Sequence, residues 1–138
     1  MQKIILDTNV IVSALISNAT PTKILYELVL TQKLETCLSD QIFSEYVDVL
    51  NRDKFSQYSD FKIKADIVLY KLHEISKFFY PDLRIDIIAD TSDNKFLELA
   101  AVSSADYLIT GNTGDFHIRE FEYTKILTPR ENRDFCKP

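Results

Sequence analysis

Apolar residues in this chain fall into short continuous runs that alternate with stretches of helical spacing. Ile4, Ile5 and Leu6 form the first run, and an unbroken set of large aliphatic residues predicts a strand covered on both faces, as in a parallel sheet. Val10, Ile11, Val12, Ala14 and Leu15 follow as a helix. Ile24, Leu25, Leu28 and Val29 recur at i, i+3/i+4 spacing as a second helix, with Pro21 near its first turn. Leu34 to Leu38 reads as a short strand, and Ser39 as the N-cap of a third helix with Ile42, Phe43, Tyr46, Val47, Val49 and Leu50 on its buried arc. Asn51 to Asp60 is polar and turn-like. Ile63, Ile67, Leu69, Tyr70, Leu72 and Ile75 predict a further helix reaching Ser76, and Lys77 to Tyr80 a strand stopped by Pro81. Ile85, Ile87 and Ile88 lead into a polar stretch, after which Phe96, Leu97, Leu99, Ala100 and Ala101 mark a helix. Tyr107 to Ile109 and Ile126–Leu127 supply two more strands, and Arg130 to Phe135 a helical turn or two after Pro129.

Strands alternating with helices in this way predict an α/β fold around a mainly parallel sheet. With 138 residues, one domain spanning 1–138 is expected, and a chain of that length buries about two thirds of its unfolded surface. The two glycines and four prolines leave no room for a linker or low-complexity segment. No apolar run approaches the roughly 20 residues of a membrane span, and the chain opens on a strand rather than a leader-like segment, so a soluble, cytoplasmic protein with no membrane association is expected. Cys37 and Cys136 match neither a zinc spacing nor a disulfide framework and read as reduced thiols. A net charge of −5 argues against a broad basic face for gripping nucleic acid. It does not exclude a nucleic-acid enzyme, because acids that converge on divalent metal become a means of binding phosphate.

The acids are placed suggestively. Asp7 ends the first apolar run, and ligands of open α/β sheets sit just beyond the carboxyl ends of the strands. Asp7 and Asn9 are equally good helix N-caps, and on this stretch alone the two readings stand side by side. Glu45 lies about 40° from Val49 on its helix, at the edge of the apolar arc, with Asp48 about 60° further toward solvent. Asp90-Thr91-Ser92-Asp93-Asn94 places two acids at a helix start, where the macrodipole favours one of them for structural reasons alone. Thr110-Gly111-Asn112-Thr113-Gly114-Asp115 follows the Tyr107 to Ile109 strand and contains both glycines of the chain. His73, among Lys71, Glu74 and Lys77, reads as a surface residue, and His117 as a bystander, since metal-based hydrolysis needs no imidazole.

Leu6-Asp7-Thr8-Asn9, the Glu45 helix, Asp90-Thr91-Ser92-Asp93-Asn94, and Ile109-Thr110-Gly111-Asn112 with Asp115-Phe116 together resemble the PIN-domain ribonucleases, in particular the bacterial VapC-like toxins of toxin–antitoxin systems. The resemblance covers nearly the whole chain. It implies a three-layer α/β/α sandwich and a metal-dependent endoribonuclease, using Mg²⁺ or Mn²⁺ on an RNA substrate. It also implies a cognate antitoxin as partner and a homodimer. By this resemblance Asp7, Glu45 and Asp93 match three of the family's metal-binding catalytic acids. The fourth position is assigned to Asp115: many relatives carry an acid where this chain has Asn112, but others have Asn there and an Asp three residues later, and this chain follows the second form. Asn9, Asp90, Thr110 and Asn112 are then supporting residues that orient ligands or waters.

Elementary electrostatics agrees with such a site. Clustered carboxylates repel one another unless a cation joins them, and Mg²⁺ takes oxygen ligands while keeping several waters, so one or two direct carboxylates suffice. Two other folds that begin with an acid after the first strand fit less well. A haloacid-dehalogenase-type phosphatase needs a second Asp where this chain has Asn9, and a response-regulator receiver needs an acidic pair where Leu6-Asp7 offers one acid. The alternative from a different class is a catalytically weakened PIN-like module that binds RNA or protein.

Overall fold

The computed structural model describes residues 1–16, 20–84, 93–111 and 118–131. In chain order it comprises β1 (Lys3–Leu6), α1 (Thr8–Ile16), α2 (Thr20–Lys23) running into a π-helical turn (Ile24–Val29), β2 (Glu35–Leu38), α3 (Asp40–Leu50), a 3₁₀ turn (Asp53–Phe55), α4 (Phe61–Ile75), β3 (Lys77–Phe78), α5 (Asn94–Ser103), β4 (Tyr107–Ile109), β5 (Glu120–Phe121) and β6 (Thr124–Leu127). The strands form one sheet in the order β3-β2-β1-β4-β6-β5. All its pairings are parallel except β5 with β6. The register sets Leu6 beside Ile109, and Ile109 beside Leu127.

The chain travels outward from β1 through β2 to β3, then returns to lay β4 on the other side of β1. With right-handed crossovers, the rule for parallel units, this reversal assigns α1 to α4 to one face and α5 to the other, in a three-layer α/β/α arrangement. Helix α1 packs on α2, α3 and α4, whereas α5 packs on β2 and β5 and also meets α3. Ile4, Ile5, Leu38, Leu108, Ile109 and Ile126 are closed off from solvent between the layers, as continuous aliphatic strands require. The reversal also creates a topological switch point between β1 and β4, and their carboxyl ends open into the crevice where ligands of such sheets bind.

Several local expectations hold and some are corrected. Ser39 caps α3, its hydroxyl accepting from the Ile42 N–H at 3.2 Å. Val47, on the apolar arc by its spacing, is instead 38 % exposed; Ile42, Tyr46 and Leu50 form the buried stripe. On α4 the buried side is Phe61, Ala65, Val68, Leu69 and Leu72, leaving Ile63, Ile67 and Tyr70 in solvent. The second helix departs from α-geometry, with the Leu30 N–H donating five residues back to Leu25. Thr128-Pro129-Arg130-Glu131 closes a reciprocal capping box, in which the Thr128 N–H donates to Glu131 Oε1 at 3.0 Å and the Glu131 N–H to Thr128 Oγ1 at 3.1 Å. The terminal helical turn beyond it, Cys136 and His117 lie outside the described residues. Cys37 is buried in β2, and burial pushes its thiol up to about 11, so it stays protonated and unreactive. His73 sits between Phe43 and Phe78, with ring centroids 5.2 Å from each. No helix among the described residues is long and apolar enough to cross a membrane.

Candidate active site

Asp7 stands one residue past β1, at the switch point. Its N–H continues the ladder to the Ile109 carbonyl at 2.9 Å, and its own carbonyl accepts the Val10 N–H at 3.0 Å, the first bond of α1. The backbone is therefore fixed from both sides, by the sheet before it and the helix after it. The carboxylate is buried, and Thr110, the residue after β4, donates its hydroxyl to Oδ2 at 2.7 Å. Burial pushes the Asp7 carboxyl above its ordinary range, and the charge of Glu45 pushes the same way. The Thr110 hydrogen bond and the backbone amides of Thr8 and Asn9 oppose the rise without cancelling it. Capping and site formation thus coexist at Asp7: the amides of the first turn face a carboxylate that remains short of positive charge.

Glu45 comes to the same rim from α3, held by its neighbour in sequence. Tyr46 points inward, fully buried, and its hydroxyl donates to the Leu6 carbonyl, stapling α3 to the end of β1. Burial, then the charges of Asp7 and Glu45, push the Tyr46 hydroxyl well above its ordinary value, so it remains a neutral donor. One residue back along the helix, the Glu45 carboxylate accepts the Thr8 hydroxyl on Oε2 and lies 2.5 Å from the Lys95 ammonium on Oε1.

Asp93 occupies the N-cap position of α5 but makes no side-chain capping hydrogen bond. Two residues on, Lys95 reaches Glu45, so the N-terminal end of α5 is drawn to the rim. Asn9 lies exposed in the first turn of α1. Asp90, Asn112 and Asp115 lie outside the described residues. Gly111 takes no left-handed conformation and a Cβ there would meet nothing within 4 Å, so its position does not require glycine.

Two members of this cluster, Thr8 and Lys95, carried no role in the sequence reading. Thr8 left a weak signal, a hydroxyl between an acid and a helix in a stretch too apolar to leave it exposed. Lys95 left none, since a lysine in a first turn reads as solvated.

Among the described residues no three His, Cys, Asp or Glu side chains form a group able to hold a metal ion. Asp7 and Glu45 make a pair, and Asp93 does not complete it. The pair still fits a hard divalent ion, which needs only one or two direct carboxylates. The buried, under-compensated Asp7 charge is what such an ion would relieve.

A family model described as PIN domain matches residues 3–114. The match includes Asp7, Glu45, Asp93 and Asn112 and ends one residue before Asp115. An uncharacterised protein of Methanocaldococcus jannaschii is 32% identical over 126 residues, which cover 90% of this chain and 80% of that protein. The structure of FitAB bound to an IR36 DNA fragment resembles the fold with a TM-score of 0.53 at 20% identity, over 91% of this chain and 94% of that one.

Proposed function

Because the chain belongs to the PIN-domain family, a family of nucleases, we propose that it is a metal-dependent endoribonuclease, the toxin of a type II toxin–antitoxin pair, folded as one domain over 1–138. The observation that carries this reading is the Asp7 carboxylate, buried at the switch point, oriented by Thr110 and faced by Glu45. Asp7 and Glu45 would hold Mg²⁺ or Mn²⁺, with Asp93 and Asp115 completing the acidic set. The bound ion would polarise the scissile phosphodiester and lower the pKa of water.

The chain's own residues then have distinct tasks. Thr110 fixes the Asp7 carboxylate through Oδ2, and Thr8 fixes Glu45 through Oε2. Tyr46 locks the rotation of α3, so that Glu45 faces the rim as an outer ligand or as a base that orients the attacking water. Asp7 would be the central ligand of the ion and Asp93 the second. By the family resemblance Asn9, Asp90 and Asn112 would orient waters or ligands around them.

An antitoxin would silence this edge most simply by inserting a cationic side chain among the carboxylates. The Lys95 ammonium on Glu45 supports this reading to the extent that a cationic side chain already pairs with a carboxylate of this edge. The homodimer belongs to the same proposal and is read by size-exclusion chromatography with light scattering.

The deciding experiment is cleavage of a mixed RNA pool by the parent and by Asp7→Asn, with Mg²⁺ or Mn²⁺ and with chelator. Cuts are expected only in the parent with metal. A parent inert on every RNA would favour the binding-module alternative. For the toxin role, the small protein encoded beside this one should co-purify with it and relieve growth arrest; if it does neither, that role falls and the nuclease remains.

A further inference from the structure

Lys95 is in an unfavourable place for a cation twice over. It is the second residue of α5, where the helix dipole repels positive charge, and its side chain is only 10% exposed, where an ammonium loses hydration. Its stem runs by Phe96, with Nζ 5.6 Å from the ring centroid, and its head lies 2.5 Å from Glu45 Oε1. The other oxygen of that carboxylate already accepts the Thr8 hydroxyl. Glu45 is thus held on both oxygens, by a neutral donor on one side and by an internal cation on the other.

We propose that Lys95 is the internal counter-cation of the site. Its ammonium holds Glu45 when no divalent ion is bound, competes with that ion for Oε1, and leaves the carboxylate on loading, so that Lys95 sets the metal concentration at which the site fills. This inference rests on the reading of Asp7 and Glu45 as metal ligands. Thr8 keeps Glu45 oriented in both states. Lys95 is a positioning residue here, acting through Glu45.

The test uses the full chain and Mn²⁺ as the probe, with free ion measured by electron paramagnetic resonance. Lys95→Met, close to isosteric, should bind Mn²⁺ roughly tenfold tighter, equivalent to about 1.4 kcal/mol, while Lys95→Arg, which keeps the competing charge, should stay close to the parent. In the parent, labelling of the Lys95 amine, read by peptide mass spectrometry, should be several-fold faster with saturating Mn²⁺ than in chelator. Glu45→Gln should label at the fast rate without metal. A general loss of positive charge would tighten binding without moving the labelling, so the labelling decides between competition and simple repulsion, and it also decides if Lys95→Met does not fold. Unchanged or weaker Mn²⁺ binding by a folded Lys95→Met, or labelling indifferent to Mn²⁺, overturns the inference and leaves the nuclease reading intact. A parent that binds no Mn²⁺ removes the metal-site reading and this inference with it.

Discussion

Replacing Asp7 by Asn should make the metal-free protein more stable while abolishing cleavage. The carboxylate is buried, so its charge carries a desolvation cost of several kcal/mol even after relaxation. Against this stands the Thr110 hydroxyl at 2.7 Å, and a hydrogen bond to a charged group returns roughly 1.5–3 kcal/mol. Glu45 adds repulsion on the unfavourable side. An Asn side chain keeps one acceptor oxygen, for Thr110, and gives up the second, which faces the Thr8 and Asn9 amides; against that loss it removes both the desolvation of the charge and the repulsion, leaving a net gain of about 1–2 kcal/mol at neutral pH. For a chain of this size that is roughly 3–8 °C in Tm.

The sign with pH follows from the raised Asp7 carboxyl. A carboxyl whose folded pKa lies above its unfolded one binds its proton more tightly when folded. Its favourable contribution is complete below the unfolded pKa and is lost as pH rises through the folded one. The advantage of Asp7→Asn should therefore be near zero in acid and grow toward neutrality. Thermal melts in chelator across pH 4 to 8 read it directly. A variant that is less stable than the parent at pH 7, or a gain that does not change with pH, would refute the assignment of Asp7 as an under-compensated buried charge.

Thr110→Val removes the hydroxyl from the Asp7 carboxylate and should cost about 1.5–3 kcal/mol at pH 7, shrinking in acid, as read by urea unfolding at the two pH values. Glu122 adopts a φ of 55° at the first central position of the loop between Phe121 and Thr124, where a two-residue hairpin of this kind prefers glycine. Glu122→Gly should therefore stabilise by about 0.5–1 kcal/mol, raising the urea midpoint at constant slope. Asp115→Ala should lose more Mn²⁺-dependent cleavage than Asn112→Ala, and Asn112→Asp should preserve or raise it; the reverse order in initial rates would place the fourth acid on residue 112.

Strand identity was readable from unbroken aliphatic runs, and Asp7 from its position at the end of one. Thr110 was legible only through the family resemblance, and its hydroxyl does reach the Asp7 carboxylate. The face of α4 was not. That helix carries apolar residues on more than one side, so periodicity announces a helix without saying which stripe meets the sheet, and Phe61 and Ala65 take the interior in place of Ile63 and Ile67. β5 spans two residues, Glu120–Phe121, too few to show any period. The π-turn keeps apolar spacing close to that of an α-helix and reveals itself only in its hydrogen bonds. The pairing of Lys95 with Glu45 depends on how α5 docks beside α3, a tertiary fact with no local signature.

The hydrogen bond between Thr110 and Asp7 joins residues 103 positions apart, which makes timing a property of the site. During synthesis Asp7, Thr8 and Glu45 emerge early, but β4, which carries Thr110 to the rim, has yet to be translated. At ~5–20 residues per second, about 3–13 s separate the emergence of Glu45 from that of Thr110. A nascent or truncated chain in that interval holds Asp7 and Glu45 but lacks the Ile109 carbonyl and the Thr110 hydroxyl that orient Asp7. Contacts of such long range also form slowly in the released chain. The ribosome that makes this protein is therefore finished with most of it before the Asp7 carboxylate has its partner.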